Sequence, residues 1–179
     1  MTEPTASEAP QNFVLGLIRD WAIAVVVVFG LFVAYAFLFR PAAPGLGPAP
    51  AFTLSDLDGA AVTLPSPAGE LVVLNFWFTT CPPCRREIPE LSRFHQEHPE
   101  IPLFGVSTDV GMSPQRLAAE SRRLGITYPV LHDRRAEVAG LYGVDSFPTT
   151  LVIKGGKVVQ AKVGMVDGPT LLRMVDQVK

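Results

Sequence analysis

The chain holds only two cysteines, Cys81 and Cys84, three positions apart. That scarcity excludes a disulfide framework, because a bridge closing so small a loop removes little entropy from the unfolded chain. It also argues against structural zinc. A closed zinc site takes about four ligands, no second cysteine pair exists, and only His95, His98 and His132 remain to join the two thiolates. Charge of one sign is lacking as well: the formal net charge is -2, mixed along the chain, which leaves no footprint for nucleic acid and no electrostatic membrane patch. No internal repeat is visible. A length of 179 residues suits one domain with a real core plus a short additional element, and is tight for two.

What is abundant is apolar sequence, 48% of the chain, with the excess near the amino terminus. From Trp21 to Phe39 there is no charged residue. At roughly 1.5 Å per residue this run spans about 28 Å as a helix, close to the roughly 30 Å hydrocarbon thickness of a bilayer. Trp21, Tyr35 and Phe39, with Arg19, Asp20 and Arg40 beyond them, give the two ends interfacial groups. A single membrane anchor over residues 13–40 is the expectation. A cleaved signal peptide is the alternative, with Ala34-Tyr35-Ala36 imitating a small-x-small cleavage site. Flanking charge encodes orientation poorly. The expectation that the carboxy-terminal domain faces the periplasmic or extracellular side rests on redox chemistry, since a tethered dithiol domain has most to do where disulfides persist.

Residues 1–12 are small, polar and proline-containing, and read as a disordered tail. Residues 41–50, PAAPGLGPAP, read as a semi-stiff extended linker. Residues 51–179 alternate strand and helix signals. AFTLSDLDGAAVTL is a hairpin around Asp58-Gly59, and LVVLNFWF is a continuous apolar run of strand length, hence a buried central strand. A helix from the cysteine motif to about His98 follows. IPLFGVST and YPVLHD are further strands, separated by the helix PQRLAAESRRLG, and RAEVAGLYG is a short helix. TTLVIKGGKVVQAKVG is a hairpin turning at Gly155-Gly156, and GPTLLRMVDQV is a terminal amphipathic helix.

Cys81-Pro82-Pro83-Cys84 therefore follows a buried strand and opens a helix. Unpaired N–H groups and the positive dipole end of a helix favour the thiolate of its first cysteine. Cys81 is the expected nucleophile, and Cys84, one turn deeper, is placed to attack the mixed disulfide that Cys81 forms. Arg85 and Arg86 follow directly, and read first as solvated charges. Pro89 would remove one backbone bond of the helix and kink it. Two buried structural cysteines are the plain alternative to all of this.

The segment VVLNFWFTTCPPCRREIPEL, the preceding hairpin FTLSDLDGAAVTL and the downstream GVDSFPTTLVI together resemble the TlpA/ResA-like thioredoxin family, over roughly residues 50–179. The resemblance implies an α/β thioredoxin-like fold: a central mixed sheet flanked by helices, with an amino-terminal hairpin extension and a transmembrane helix before it. It implies a membrane-tethered protein-disulfide oxidoreductase of the kind that serves cytochrome c maturation or copper-site assembly. Such a protein reduces oxidised protein thiols with electrons from a membrane thiol–disulfide donor. It needs no cofactor beyond the Cys81–Cys84 couple and no metal; independently of the resemblance, a monomeric domain beside the membrane is the default expectation. Pro148 takes the place of the family's cis-proline opposite the cysteines, with Phe147 flanking Cys81 as a substrate contact; Trp77 joins them as a candidate contact, a core position being its alternative. Thioredoxin itself has a buried aspartate where this chain has Asn75. Glu87, at a position where ResA-like proteins carry a glutamate, is the candidate proton relay. Thr80 stands where many relatives have tryptophan.

Two other functions stay open. The stretch FGVSTDVGMSPQRLAAESRRLGITYPVLHD also resembles the peroxiredoxin-like branch of the fold. The peroxidase pattern P-x-x-x-T-x-x-C fails, however, with Leu74 and Phe78 at its proline and threonine places. A Cu(I)-binding module would use Cys81 and Cys84 as soft ligands, with His132. Within the oxidoreductase class, oxidase is the rival direction to reductase.

Overall fold

The computed structural model describes residues 9–38, 46–64 and 70–179. The chain divides into two units, Met1–Pro41 and Ala42–Lys179.

The described residues of the first unit form one helix, α1 (Ala9–Leu38). Its stretch Leu15–Tyr35, 21 residues of mean hydropathy 2.2, is long and apolar enough to cross a membrane. By length and composition it fits a membrane anchor, a test that a signal sequence near the amino terminus also passes. Two expectations need correction. The helix begins at Ala9, inside the stretch read as a disordered tail; Pro10 is no obstacle there, because the first turn of a helix has unpaired N–H groups in any case. The apolar span also starts earlier than Trp21 and takes in Arg19 and Asp20, which pair with each other at 3.2 Å. Residues 1–8 and Phe39 lie outside the described residues.

In the second unit, strand β1 (Gly47–Pro48) is followed by the hairpin β2 (Phe52–Ser55) and β3 (Ala61–Leu64). Next come β4 (Val72–Trp77), α2 (Pro82–Glu97), β5 (Leu103–Ser107), α3 (Pro114–Arg123) and β6 (Val130–His132). The chain ends with α4 (Glu137–Leu141), β7 (Thr149–Lys154), β8 (Lys157–Val163) and α5 (Gly168–Asp176). Six strands form one mixed sheet in the order β1-β8-β7-β4-β5-β6, and β2-β3 pair separately. β4 runs parallel to β5 and antiparallel to β7. This is the thioredoxin-like α/β architecture, with the hairpin set before it.

Both faces of β4 are covered, so the strand carries no alternation of polar and apolar residues and each of its six residues is buried. Leu74 and Phe76 pack with Leu151, Ile153, Leu131, α4 and the hairpin residues Phe52 and Leu64. Val73 points the other way, against Leu91 and Phe94 of α2 and Leu171 and Val175 of α5. Trp77 packs with both cysteines and Ile88. Full burial of one such side chain contributes about 1.5–3 kcal/mol. Pro89 lies within α2, which continues past it to Glu97. The bond it removes is one that exposed Arg85 would have accepted.

The linker expectation is corrected at its carboxy-terminal end. Gly47 and Pro48 pair with Val158 and Lys157, Ala49 N–H donates to Gly156 O at 2.8 Å, and Tyr142 Oη donates to Pro50 O at 2.8 Å. An edge strand pairs on one side only, and prolines keep their carbonyls, so a proline-rich segment can serve there. The linker's start, residues 41–45, lies outside the described residues.

Gly105 of β5 marks the tightest packing. A Cβ there would lie 2.8 Å from Tyr128 Cε2 and 3.0 Å from Trp77 Nε1, both in buried rings. Gly105→Ala is expected to lower stability by about 1–3 kcal/mol. Gly140→Ala, in open space on α4, is expected to be neutral or to stabilise by up to about 1 kcal/mol. Denaturant titration of the two variants side by side checks both signs.

Candidate active site

Where β4 ends, the chain turns through Phe78, Thr79 and Thr80 into α2. Cys81 is the N-cap of that helix, with extended backbone, and its side chain accepts the Cys84 N–H at 3.2 Å. Pro82 and Pro83 have no N–H to give. Cys84 therefore supplies the first amide the helix can offer, and the Arg85 N–H is taken by Cys81 O at 3.1 Å. Cys81 and Cys84 form a disulfide and are both buried. A thiolate on Cys81 would keep the Cys84 amide as donor and sit at the positive end of a 16-residue helix.

Opposite lies the Phe147-Pro148 bond, in cis. Phe147 meets Phe78 edge to face, with ring centroids 5.3 Å apart, and packs against the cluster that contains both cysteines. Gly164 N–H donates to Pro148 O at 2.8 Å, tying the proline to the end of β8. Trp77, by contrast, is wholly buried. It forms part of the floor beneath the disulfide and has no surface for a substrate, which corrects its place among the candidate contacts.

Glu87 lies one turn after Cys84 and faces the interior, 1% exposed. Asn75 Nδ2 donates to its Oε1 at 2.7 Å, and the Val166 N–H donates to its Oε2 at 3.0 Å. Asn75 Nδ2 also reaches Thr150 Oγ1 at 3.1 Å. The carboxyl thus links β4, α2, β7 and the segment before α5. Burial raises its pKa to about 7, against the lowering by its two hydrogen bonds. Burial, with the charge of Glu87 adding to it, also pushes the Tyr128 hydroxyl up. This placement excludes Glu87 as a solvated residue of the helix surface. The sequence held no sign of Val166 or Thr150 as its partners, since both contacts join residues far apart in the chain. Asp109, whose side chain holds Thr79, was missed for the same reason.

A surface cavity of about 590 Å³ lies between the β2-β3 hairpin and the end of β6, lined by Ser55, Asp56, His132 and Arg135 among others, and includes neither cysteine. No enclosed small-molecule pocket surrounds the disulfide among the cavities described. Among the described residues, no three of His, Cys, Asp and Glu converge as a metal site.

Residues 47–162 match the AhpC/TSA family. A protein named thiol-disulfide oxidoreductase ResA, from Geobacillus thermodenitrificans, is 33% identical over 132 residues, 73% of this chain and 76% of that one. Among solved structures, a thiol:disulfide interchange protein of the thioredoxin family from Chlorobium tepidum is similar with a TM-score of 0.63 at 27% identity, over 74% of this chain and 96% of that one. StoA from Bacillus subtilis shares the fold, with a TM-score of 0.63 at 23% identity, over 71% and 97%. These likenesses run along most of the domain, and the chain belongs to the AhpC/TSA family, with the thioredoxin-like fold, as one of its thiol–disulfide oxidoreductases.

Proposed function

We propose that the protein is a membrane-anchored reductase of protein disulfides outside the cytoplasm, with Cys81 as nucleophile, Cys84 as resolving thiol and Glu87 as the group that takes the proton from Cys84. The observation that carries the reading is the cap of α2: the sulfur of Cys81 accepts the helix's first available amide. The thiolate of Cys81 attacks one sulfur of a substrate disulfide, forming a mixed disulfide and expelling the other substrate sulfur as thiolate. Cys84 then gives its proton to the Glu87 carboxylate and its thiolate attacks Cys81, releasing the second substrate thiolate and closing the Cys81–Cys84 disulfide. Two electrons pass from dithiol to substrate. A membrane thiol–disulfide donor restores the dithiol, and no further cofactor enters.

Substrates of the kind handled in cytochrome c maturation or copper-site assembly fit the resemblance to ResA-like proteins. The cis Phe147-Pro148 edge supports extended pairing with a substrate chain, with Phe147 as the apolar contact beside Cys81. The apolar helix at Leu15–Tyr35 supports anchoring, and a monomeric domain suffices for the chemistry. A peroxidase is disfavoured by Leu74 and Phe78, one buried in the β4 core and the other set edge to face with Phe147, neither with a hydroxyl to polarise a peroxide. A Cu(I) module is the remaining alternative.

Equilibration of the full chain in thiol–disulfide buffers, with Cys81→Ser and Cys84→Ser as controls, is the deciding measurement. A single two-electron couple well below about -200 mV is expected of a dedicated reductase, whereas a value near about -120 mV identifies an oxidant of thiols. No reversible couple at all would sink the redox reading and bring copper binding forward.

Glu87 yields a second expectation, in both rate and stability. With a pKa about 7, acid and carboxylate coexist at neutral pH, the range in which a proton acceptor is most effective. Glu87→Gln is expected to slow resolution of the mixed disulfide about 10- to 100-fold at pH 7 and to remove the limb of the pH–rate profile near 7. For stability the sign runs opposite to that of an ion-paired acid. Below the ordinary value of 4.5 the group is protonated folded or unfolded and contributes nothing. As pH rises through about 7 the folded protein must carry the buried charge, at a cost on the order of 3 kcal/mol. Unfolding free energy is therefore expected to fall from about pH 4.5 to about pH 7 and to level off above, and Glu87→Gln to flatten that fall.

A further inference from the structure

The stretch that delivers Cys81 to the helix is held from the side by one residue of another loop. Asp109 follows β5 and is half-buried. Its carboxylate accepts the Thr79 N–H at 3.0 Å, the Thr79 Oγ1 hydroxyl at 2.6 Å and the Ser107 hydroxyl at 2.8 Å. Its own N–H returns to Ser107 Oγ at 3.3 Å, and its carbonyl accepts from His132 Nε2 at 3.3 Å. Thr79 follows β4, Ser107 ends β5 and His132 ends β6. One side chain and its peptide thus join the carboxy-terminal ends of three neighbouring strands.

Thr79 is two residues before Cys81 and is itself buried. Cys81 N–H donates to Phe78 O at 3.2 Å, so the turn closes directly around the residue that Asp109 grips. The adjacent Thr108 adds its N–H, at 2.9 Å, and its hydroxyl, at 3.3 Å, to the carbonyl of Trp77. Neither Trp77 nor Thr79 can shift without breaking a bond to the loop at 107–109. Capping requires Cys81 Sγ to remain within reach of a single amide, that of Cys84, because the two prolines offer none; the position of the incoming turn therefore decides whether the thiolate is stabilised at all.

We propose that Asp109 is a positioning residue for the Cys81 thiolate: by binding Thr79 through both backbone and hydroxyl it fixes the Phe78–Thr80 turn, and so keeps the Cys81 sulfur on the Cys84 amide. The proposal rests on Cys81 being the nucleophile. Two effects of replacing Asp109 oppose each other, and two substitutions separate them. Removing a negative charge from the neighbourhood of Cys81 favours its thiolate, whereas releasing the turn disfavours it by loosening the cap. Asp109→Asn removes the charge but keeps an oxygen for Thr79. Asp109→Ala removes both.

The experiment is iodoacetamide alkylation of Cys81 across pH 5–10 in the full chain bearing Cys84→Ser, with each Asp109 substitution added, and thermal melting recorded beside it. Asp109→Ala is expected to slow alkylation at pH 7 about fivefold and to move the pH midpoint upward. Asp109→Asn should react at the parent rate or faster. Thr79→Val, which loses only the hydroxyl bond, should show a smaller fall in the same direction and serves in place of Asp109→Ala if that variant does not fold. Equal alkylation rates in parent, Asp109→Ala and Thr79→Val would overturn the proposal, whatever happens to the melting temperature. So would an equal loss in Asp109→Asn and Asp109→Ala. Alkylation is read without any substrate, so turnover of a disulfide substrate by the unmodified chain tests the functional reading separately.

Discussion

The amide of Cys84 is the sole early donor that α2 presents, and much of the domain is arranged so that the Cys81 sulfur meets it. A helix ordinarily leaves several amides free at its start, and an anion placed there can shift among them. Here Pro82 and Pro83 reduce the choice to one. The cap then demands a strand that ends at a fixed height, a turn that cannot drift and a helix that cannot rotate. β4 meets the first demand by lying buried between a parallel and an antiparallel neighbour, Asp109 meets the second through Thr79, and Glu87 meets the third by bonding to Asn75 of β4 and to the Val166 amide.

Glu87 shows how structural and chemical demands share one group. A leucine there would pack α2 without a desolvation cost, but would leave the Val166 N–H and one N–H of the Asn75 amide without an acceptor. The carboxyl satisfies both and, because burial works against its charge, titrates near neutrality. The asparagine on β4 is the complementary choice. A second carboxylate at that position would place two acids in one low-dielectric space, and each would raise the other's pKa. Asn75 instead donates, keeping the acid single and its proton well defined.

How much of this could be read from the chain depended on how local the signal was. LVVLNFWF announced a buried strand because both faces need apolar cover, and the two hairpins announced themselves by Asp58-Gly59 and Gly155-Gly156. The cysteine pair was legible from its strand-then-helix setting, and Pro148 through the family resemblance. Trp77 was not, since a large aromatic four residues before a nucleophile suits a floor as well as a rim, and only the strand's orientation decides. Glu87 at i,i+3 from Cys84 was permitted proximity by helix geometry, but its burial is decided by Val166 and Asn75. The proline-rich segment misled at its far end, where Gly47 and Pro48 join the sheet, because pairing on one side needs few N–H groups. Asp109 left no local trace: its grip on Thr79 exists only once β4 and β5 lie side by side.

An open sheet margin invites unwanted strand addition from any other chain. At one margin of this sheet β6 is three residues long. At the other, β1 covers the start of β8 and ends in Pro48, which has no N–H to extend the ladder. The rest of β8 carries Gln160 and Lys162, and its pairing with β7 shifts register at Val152/Ile153. Short margins, a proline, a lysine and an irregular register all discourage aggregation through strand pairing. The segment that ties the domain's amino-terminal end to its sheet therefore also acts as a guard for that margin.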